Sequence, residues 1–499
     1  VTDLPTLQSI DARTGLPSGE PWAASTPDQI AAAVNAAADA AVAWAASTGT
    51  ARARLLRGLA DALEANRERL VPLADRETAL GMARLNGELD RTAFQLRGFA
   101  DAAEQGAPFA VQDDPPVAGG PPAGRPRLTR VRVPLGPVAM FAASNFPFAF
   151  SVLGGDTASA LAAGCPVVVK GHPAHPALSR QTVALARQVL ARQQLPAGLI
   201  GFVEGAGVAT GVQLVQADAI AAVAFTGSFA GGTALAKVAA ERPRPIPFFG
   251  ELGSINPVIV LPQALTGDAT ELAQTLAGSI CQGSGQFCTS PGVIVVQKDA
   301  AGDAFVQALT TQLAGLSPHA MLTAGIRRAF DTGIARWRGT PGVRTLLADV
   351  AQADDTPRPC LAEVDAATFV ADASLHEEVF GAAALVVRTG APLQAIDVLR
   401  AVGGSLTVTL WGVDASANAP DPATLELVRT ASQVAGRVLF DGVPTGVAVT
   451  AAQQHGGPFP ASTAPATTSV GYAALDRFLR PVALQDAPAW LVERRGVPC

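Results

Sequence analysis

Apolar positions change their period several times along the chain, and each change predicts a different kind of element. From residue 26 to about 105 the spacing is helical, with Leu55, Leu56, Leu59, Leu63 and Leu70 falling on one face. Thr26, Pro27 and Gln29 read as an N-cap, a first-turn proline and a capping-box partner. A Pro/Gly-rich connection, "DDPPVAGGPPAGRP" (113–126), follows, and then "RLTRVRV" alternates as an exposed β-ribbon with one buried face would. Between 134 and about 260 come "GPVAMFA", "CPVVVK", "GLIGFVEG", "AAVAFTG" and "INPVIVL", short apolar runs separated by Ala/Leu-rich helical stretches. Near-continuous apolar strands alternating with helices predict a parallel sheet covered on both faces. A second α/β set runs from about 260 to 440, and the tail "TTSVGYAALDRFLRPVAL" contains extended segments able to pair with another chain.

The expected fold is therefore α/β, with two doubly wound, Rossmann-like parallel sheets. A chain of 499 residues exceeds what one core serves, so two or more domains are expected. Ligands in such sheets bind beyond the carboxyl ends of the strands. Asn145, Lys170, Gly227 and Glu251 fall just after these runs or near them.

Composition narrows the class. At 49% hydrophobic and 16% charged residues, the chain is not a disordered one. A formal net charge of −6 gives no basic footprint, so no nucleic-acid partner is expected. The cysteines, at 165, 281, 288, 360 and 499, are odd in number and contain no C-x-x-C pair. Neither a zinc site nor a disulfide framework follows, and reduced thiols in the cytoplasm are expected. "VTDLPTLQSIDARTG" lacks the pattern of a signal peptide, and no apolar run reaches the ~18–20 residues of a membrane span.

Candidate chemistry centres on "GQFCTSPG" (285–292), where Cys288 lies in a small, glycine-flanked setting rather than in an apolar run. Such a presented thiol needs a proton acceptor or a water activator. The five histidines (172, 175, 319, 376 and 455) show no Cys–His protease pattern, so a carboxylate is the alternative. "FFGELGSINP" supplies Glu251, which taken alone fits a surface turn as well as a catalytic base.

"FGELGSINP" followed by "GQFCTSPG" resembles the glutamate and cysteine signatures of the aldehyde dehydrogenase superfamily. In the same order, "SNFPFAF" (144–150) resembles its Asn-Phe-Pro segment, "VVVKGHPAHP" its lysine-bearing strand end, "FTGSFAGG" its glycine turn and "EEVFGAAALVV" (377–387) its Glu-x-Phe-Gly segment. The C-terminal "HGGPFPAS" and "TTSVGYAALDRFLRP" are most similar to the branch holding 2-oxoglutarate semialdehyde dehydrogenases and a bacterial NADP-dependent fatty aldehyde dehydrogenase.

The resemblance implies oxidation of an aldehyde to the free acid. Cys288 would attack the carbonyl, Asn145 and the Cys288 backbone N–H would hold the oxyanion, and Glu251 would activate the water that hydrolyses the thioester. On the cofactor side, Lys170 would meet the adenosine ribose or its 2′-phosphate, and Gly227 and Ser228 the diphosphate. Gly232 would be the close-packing glycine, Glu378 would hold the nicotinamide ribose, and Phe380 would back the ring. Pro173 stands where many NAD-preferring relatives carry a glutamate, so the expected cofactor, NADP or NAD, leans to NADP, with His172 as an extra contact. Against this, "EGAGVATG" (204–211) lacks the arginine of some NADP-using relatives. Ser144 and Ala382 replace a usual tryptophan and proline without touching the chemistry.

Residues 1–115 and 135–255 are expected to form the cofactor domain and 256–450 the catalytic domain. An oligomerisation arm is expected from 116–134 and 465–499, making a homodimer or homotetramer. The substrate is left between 2-oxoglutarate semialdehyde and an apolar aldehyde. Phe146, Phe148, Phe150 and Phe287 are candidates for an apolar entrance. "SVLGGDTAS", after the asparagine motif, lacks the carboxylate-holding arginine of succinic semialdehyde dehydrogenases. The alternatives are a CoA-acylating enzyme, in which Glu251 would be superfluous, and a catalytically silent protein of the same fold.

Overall fold

The computed structural model describes residues 6–267, 269–348, 356–391, 393–414 and 421–493. A hairpin of β1 (Thr6–Ile10) and β2 (Pro17–Ala23) leads into helices α1 (Pro27–Ala45), α2 (Gly49–Ala65), α3 (Arg67–Thr78) and α4 (Met82–Gln105). The capping box at Thr26 forms, with Gln29 N donating to Thr26 Oγ1 at 3.1 Å and Thr26 N to Gln29 Oε1 at 2.9 Å. What the leucine spacing offers as one helical stretch is cut into four. Thr48 caps a new helix at α2, and the left-handed Ala79 (φ 55°) ends α3. Leu55, Leu56, Leu59, Leu63 and Leu70 are all fully buried against α4 and the neighbouring sheet. On α4, Arg84, Glu88 and Arg91 share one face by their spacing. Glu88 Oε1 accepts from the backbone of Phe148 (2.8 Å) and Ala149 (3.0 Å), tying that face to the asparagine segment.

The alternating segment is β4 (Leu128–Pro134), with Thr129, Val131 and Val133 buried and Arg130 exposed. It is the middle strand of three, between β3 (Gln112–Asp114) and the tail strand Leu479–Gln485. The tail thus pairs with its own chain, antiparallel from Leu479 opposite Pro134 to Gln485 opposite Leu128. The ribbon is a covered middle strand, and the edges of this sheet are β3 and the tail strand. The expected tail arm beyond residue 493 lies outside the described residues.

The first parallel sheet contains β5 (Val138–Phe141), α5 (Gly155–Ala163), β6 (Val167–Lys170), α6 (Pro176–Arg192), β7 (Ile200–Val203), α7 (Val208–Gln216), β8 (Ala222–Thr226), α8 (Phe229–Ala240) and β9 (Phe248–Glu251). Its strand order is β7-β6-β5-β8-β9, all parallel, so the order reverses at β5 and β8. Alternate side chains of β5 enter different cores: Val138 and Met140 on one face, Ala139 and Phe141 on the other. That is double winding read from one strand.

The second sheet contains β10 (Val258–Val260), α9 (Ala269–Cys281), β11 (Val293–Gln297), α10 (Ala300–Ala314), α11 (Ala324–Gly339), β12 (Arg344–Leu347), β13 (Cys360–Asp365), α12 (Ala366–Ala371), β14 (Ala383–Thr389), α13 (Gln394–Val402), β15 (Ser405–Trp411), α14 (Pro422–Val434) and β16 (Ala435–Phe440). The order is β12-β13-β14-β11-β10-β15-β16, parallel except for the edge strand β12. "INPVIVL" therefore opens this sheet instead of closing the first. The strand that closes the first is β9, whose "FFGE" is too short and too exposed to stand out as an apolar run. No helix among the described residues is long and apolar enough to cross a membrane.

Candidate active site

Beyond α9 the chain takes three consecutive left-handed residues, Gly283 (φ 58°), Ser284 (φ 57°) and Gly285 (φ 70°), before Phe287 and Cys288. Gly285 is required twice. A side chain there would strain the backbone, and its Cβ would fall 2.1 Å from the carbonyl of Gly381. The small residues before the thiol thus let the Glu378–Gly381 segment pass against it. Asn256, fully buried and itself left-handed at φ 53°, fixes the loop from below. Its amide donates to the carbonyls of Cys288 (2.8 Å) and Ser290 (3.0 Å), while its oxygen accepts from Ser254 Oγ (2.8 Å). Asn256, within "GSINP", has no role that the sequence pattern assigns. Its signal was a polar residue directly ahead of an apolar strand.

Glu251 ends β9 and is buried. Its Oε1 lies 3.0 Å from His455 Nε2, and its Oε2 accepts from Ser469 Oγ. The same His455 nitrogen lies 3.5 Å from Cys288 Sγ, so one imidazole nitrogen sits between thiol and carboxylate. The three ligand-type atoms fall within 4.8 Å of one another. The reading that set the histidines aside is corrected here: His455 was inside the quoted "HGGPFPAS" and reaches the site from a distant segment. That segment is stitched down by Ser469 N donating to His455 O (2.8 Å) and Leu252 N to Ala461 O (2.8 Å). Burial and the adjacent Glu251 charge push the half-buried Cys288 thiol well above its ordinary range. Burial also works to raise Glu251, but the neighbouring His455, with hydrogen bonds from His455, Ser469 and Cys288, holds it below the usual carboxylate range.

Asn145 follows β5, is buried, and its amide nitrogen donates to Gln286 O at 3.0 Å. Its second N–H remains for another acceptor next to the thiol loop. Arg84 steadies it by donating to Asn145 O at 2.7 Å.

The cofactor candidates line the ends of β6 and β8 and the segment before β14. Lys170 is the last residue of β6, and its ammonium has no hydrogen-bond or ion-pair partner among the described residues; burial lowers its pKa to about 8. His172 is held neutral by burial and by the charges of His175 and Lys170, and its Nδ1 accepts from Ala174 N (3.1 Å), which leaves Nε2–H as the donor. Gly227 precedes Ser228, the N-cap of α8, whose Oγ accepts from Gly231 N at 3.3 Å. Gly232 is buried, and a Cβ there would meet Leu252 at 2.1 Å, a close-packing position. Glu378 lies against Gly253, where a Cβ would fall 2.5 Å from its Oε2; burial raises its carboxyl to about 8 despite a hydrogen bond from the Ser254 backbone. Phe380 joins Glu378, Ser254 and Phe287 around one narrow cavity. An unpartnered cation, an open helix start and a carboxyl over a bare glycine fit the parts of a dinucleotide.

A second cavity, of about 220 Å³, opens onto Cys288, Thr289 and His455. Phe146, Phe150 and Phe287 form its apolar wall, with Phe146 and Phe287 edge to face at 5.1 Å. Phe148 does not belong there. It is buried in the core beneath α4. Arg84 and Arg91 complete the lining from α4, and no sequence pattern had singled them out.

Two doubly wound sheets whose strand ends bring a thiol, a carboxylate and an amide together beside a nucleotide-type rim define a cysteine-dependent oxidoreductase. Residues 5–325 match the model of the aldehyde dehydrogenase family, and the chain belongs to that family. It is an NAD(P)-dependent aldehyde dehydrogenase. It is 42% identical over 97% of its length to "Alpha-ketoglutaric semialdehyde dehydrogenase 2" of Azospirillum brasilense, covering 92% of that protein. It is 37% identical over 97% of its length to the "Alpha-ketoglutaric semialdehyde dehydrogenase" of Acinetobacter baylyi, covering 91% of it. Among solved structures, proline utilization A of Bradyrhizobium japonicum superposes with a TM-score of 0.78 at 26% identity; the match covers 93% of this chain and 45% of that longer one.

Proposed function

We propose that the enzyme converts an aldehyde to the free carboxylic acid through a covalent intermediate on Cys288. The observation that carries this reading is the single imidazole nitrogen shared between the thiol and Glu251. With its pKa raised, the resting thiol is protonated and gives up its proton as sulfur attacks the carbonyl carbon, His455 and Glu251 being within reach. The resulting alkoxide is met by the free N–H of Asn145 and the backbone N–H of Cys288. Bound at the rim formed by Lys170, Ser228 and Glu378, NAD(P)+ would supply the acceptor for the hydride lost from the same carbon. The product on sulfur is a thioester. Glu251, held ionised, removes a proton from water as it adds, and the carbon–sulfur bond breaks to return the thiol.

Lys170, Gly227, Ser228, Gly232, Glu378 and Phe380 would hold the cofactor. An unpaired lysine with Pro173 three residues on admits a 2′-phosphate, so NADP is the proposed preference. The names of the two relatives make α-ketoglutaric semialdehyde the candidate substrate. Residues 1–115 with 135–255 would serve as the cofactor domain and 256–450 as the catalytic domain. The free edge of the tail strand would pair across a two-fold axis, giving a homodimer or homotetramer, which light scattering checks against a concentration-independent monomer mass. Aldehydes offered with NAD or NADP, followed at 340 nm with and without CoA, test the reaction. A free acid formed without CoA supports it; turnover that requires CoA and ends in an acyl-CoA defeats it.

A further inference from the structure

The cavity leading to Cys288 is lined by two arginines whose buried N–H groups are not all bonded. Nε and Nη2 of Arg91 and Nη1 of Arg84 are buried and have no partner among the described residues. Buried charges are ordinarily paired, because stripping water from an ion without replacing its contacts is costly. The acid on the same face is Glu88, whose charge acts on both arginines but which hydrogen-bonds to neither; its Oε2 is buried without a partner among the described residues. Its Oε1 takes the N–H groups of Phe148 and Ala149, and it forms no ion pair with either arginine. Glu251, the other acid nearby, is already bonded to His455 and Ser469.

The arginines are also aimed. The guanidinium of Arg84 lies 4.6 Å from the ring centre of Phe287 and 5.0 Å from that of Phe146, and that of Arg91 lies 5.4 Å from Phe150. Stacking uses the flat face of a guanidinium and leaves its N–H groups in the plane, where a carboxylate accepts two at once. Arg84 spends Nη2 on the Asn145 carbonyl, so Arg91 is the freer of the two.

We infer that the α4 face is a carboxylate-reading subsite, in which Arg91, backed by Arg84, holds the anionic far end of a short aldehyde while its carbonyl meets Cys288. This rests on the proposed reaction and deepens it by naming the side chains that select an ω-oxo acid over an apolar aldehyde. Phe146, Phe150 and Phe287 then line the methylene stretch between the two ends.

The test compares glutaric semialdehyde with pentanal, which lacks only the carboxylate. Wild-type enzyme is expected to favour the semialdehyde in kcat/KM, and Arg91→Met to lower that preference ratio by about 10- to 150-fold, the range for losing a hydrogen bond to a charged group. Arg91→Lys should restore part of it. A ratio unmoved by Arg91→Met, or a wild-type preference for pentanal, overturns the subsite. Calorimetric binding of glutarate to the wild-type protein, with no turnover required, separates the two layers and decides the matter if Arg91→Met does not fold. Glutarate that binds and is weakened by Arg91→Lys, with neither aldehyde oxidised, supports the subsite and defeats the reaction. Pentanal oxidised with glutarate neither bound nor competing supports the reaction and defeats the subsite.

Discussion

The thiol junction and the cofactor rim both gather where the carboxyl ends of the first sheet's strands meet the loops entering strands of the second, yet they differ in how far their polar groups are bonded within the protein. At the junction the acting groups are each anchored by at least one bond within the protein. Glu251 has His455 and Ser469, Asn256 holds the Cys288 loop, and Asn145 is tied to Gln286 and Arg84. At the rim, the Lys170 ammonium has no partner among the described residues, and Ser228 uses its oxygen to cap α8 while the helix start stays open. The difference teaches how to tell two kinds of site apart. A group that must act on its own carbon or water is positioned by the fold, whereas a group that must meet a ligand is left wanting one. Preorganisation at the first makes a small displacement costly; incompleteness at the second makes ligand charge decisive.

The largest break in that contrast is removal of the thiol. Cys288→Ala should lower aldehyde oxidation by more than about 10⁴-fold, because no other nucleophile reaches the carbonyl, while NADP binding at the separate rim stays near that of the wild type. Turnover assays and equilibrium titration of NADP check the two halves, and residual oxidation near the wild-type rate would remove Cys288 from the reaction.

Glu251→Gln comes next, with an expected loss of ~10²–10⁴ in the steady state. Glutamine keeps the hydrogen bond to Ser469 and loses the basicity, so hydrolysis should slow more than hydride transfer. A burst near one reduced cofactor per active site would precede a slow phase, with an acyl adduct on Cys288 seen by mass spectrometry. Unchanged burst and unchanged steady state would leave Glu251 without a role.

The two regions were also unequally legible in the sequence. Strands β5 to β8 of the first sheet, the glycine turn at 227–232 and Lys170 are local: each is a short apolar run or the polar residues that end it, so period and turn chemistry suffice. Cys288, Glu251 and Asn145 could be singled out as candidates because each sits inside its own short motif. His455 was not assigned, because its role exists only once a segment some two hundred residues away folds onto β9, and a lone histidine carries no period. Arg84 and Arg91 were hidden for a related reason. On a helix read only for its leucines, the polar face looks like solvent, and only the docking of α4 against Phe146 and Phe287 turns that face inward. Strand β9 escaped because two half-buried phenylalanines make no apolar run.

His455→Asn sharpens the junction side with a smaller effect, about 10- to 10²-fold in kcat, within the usual range for one acid–base partner. The sign of its pH dependence follows from what holds Glu251 down. Burial works to raise that carboxyl, and His455 is the chief opposing influence. Without it the Glu251 pKa rises, so the acid limb of the kcat profile should move to higher pH. An acid limb that stays where it was would mean that His455 fills space without tuning the base.

Lys170 gives the smallest effect and the cleanest view of the rim. Burial alone lowers its pKa to about 8, with no acid beside it to hold the proton. Below that pH the ammonium is charged and can meet a 2′-phosphate; above it the lysine is neutral and the attraction fades. The phosphate itself, with a second pKa near ~6, is already fully ionised through this window and contributes no change of its own. Bound phosphate favours the charged lysine, so the complex keeps its proton to higher pH than the free enzyme. Above pH 8 the Kd for NADP should therefore rise by up to about tenfold per pH unit, the slope of a single linked proton. NAD lacks the phosphate, and its Kd should move less. In Lys170→Met the extra slope for NADP should vanish and the NADP-over-NAD preference should fall, by roughly 10-fold or more for the loss of one charge-assisted contact. Titrations of both nucleotides at pH 7 and pH 9 decide it: parallel behaviour of NADP and NAD in the wild-type enzyme would place the 2′-position away from Lys170.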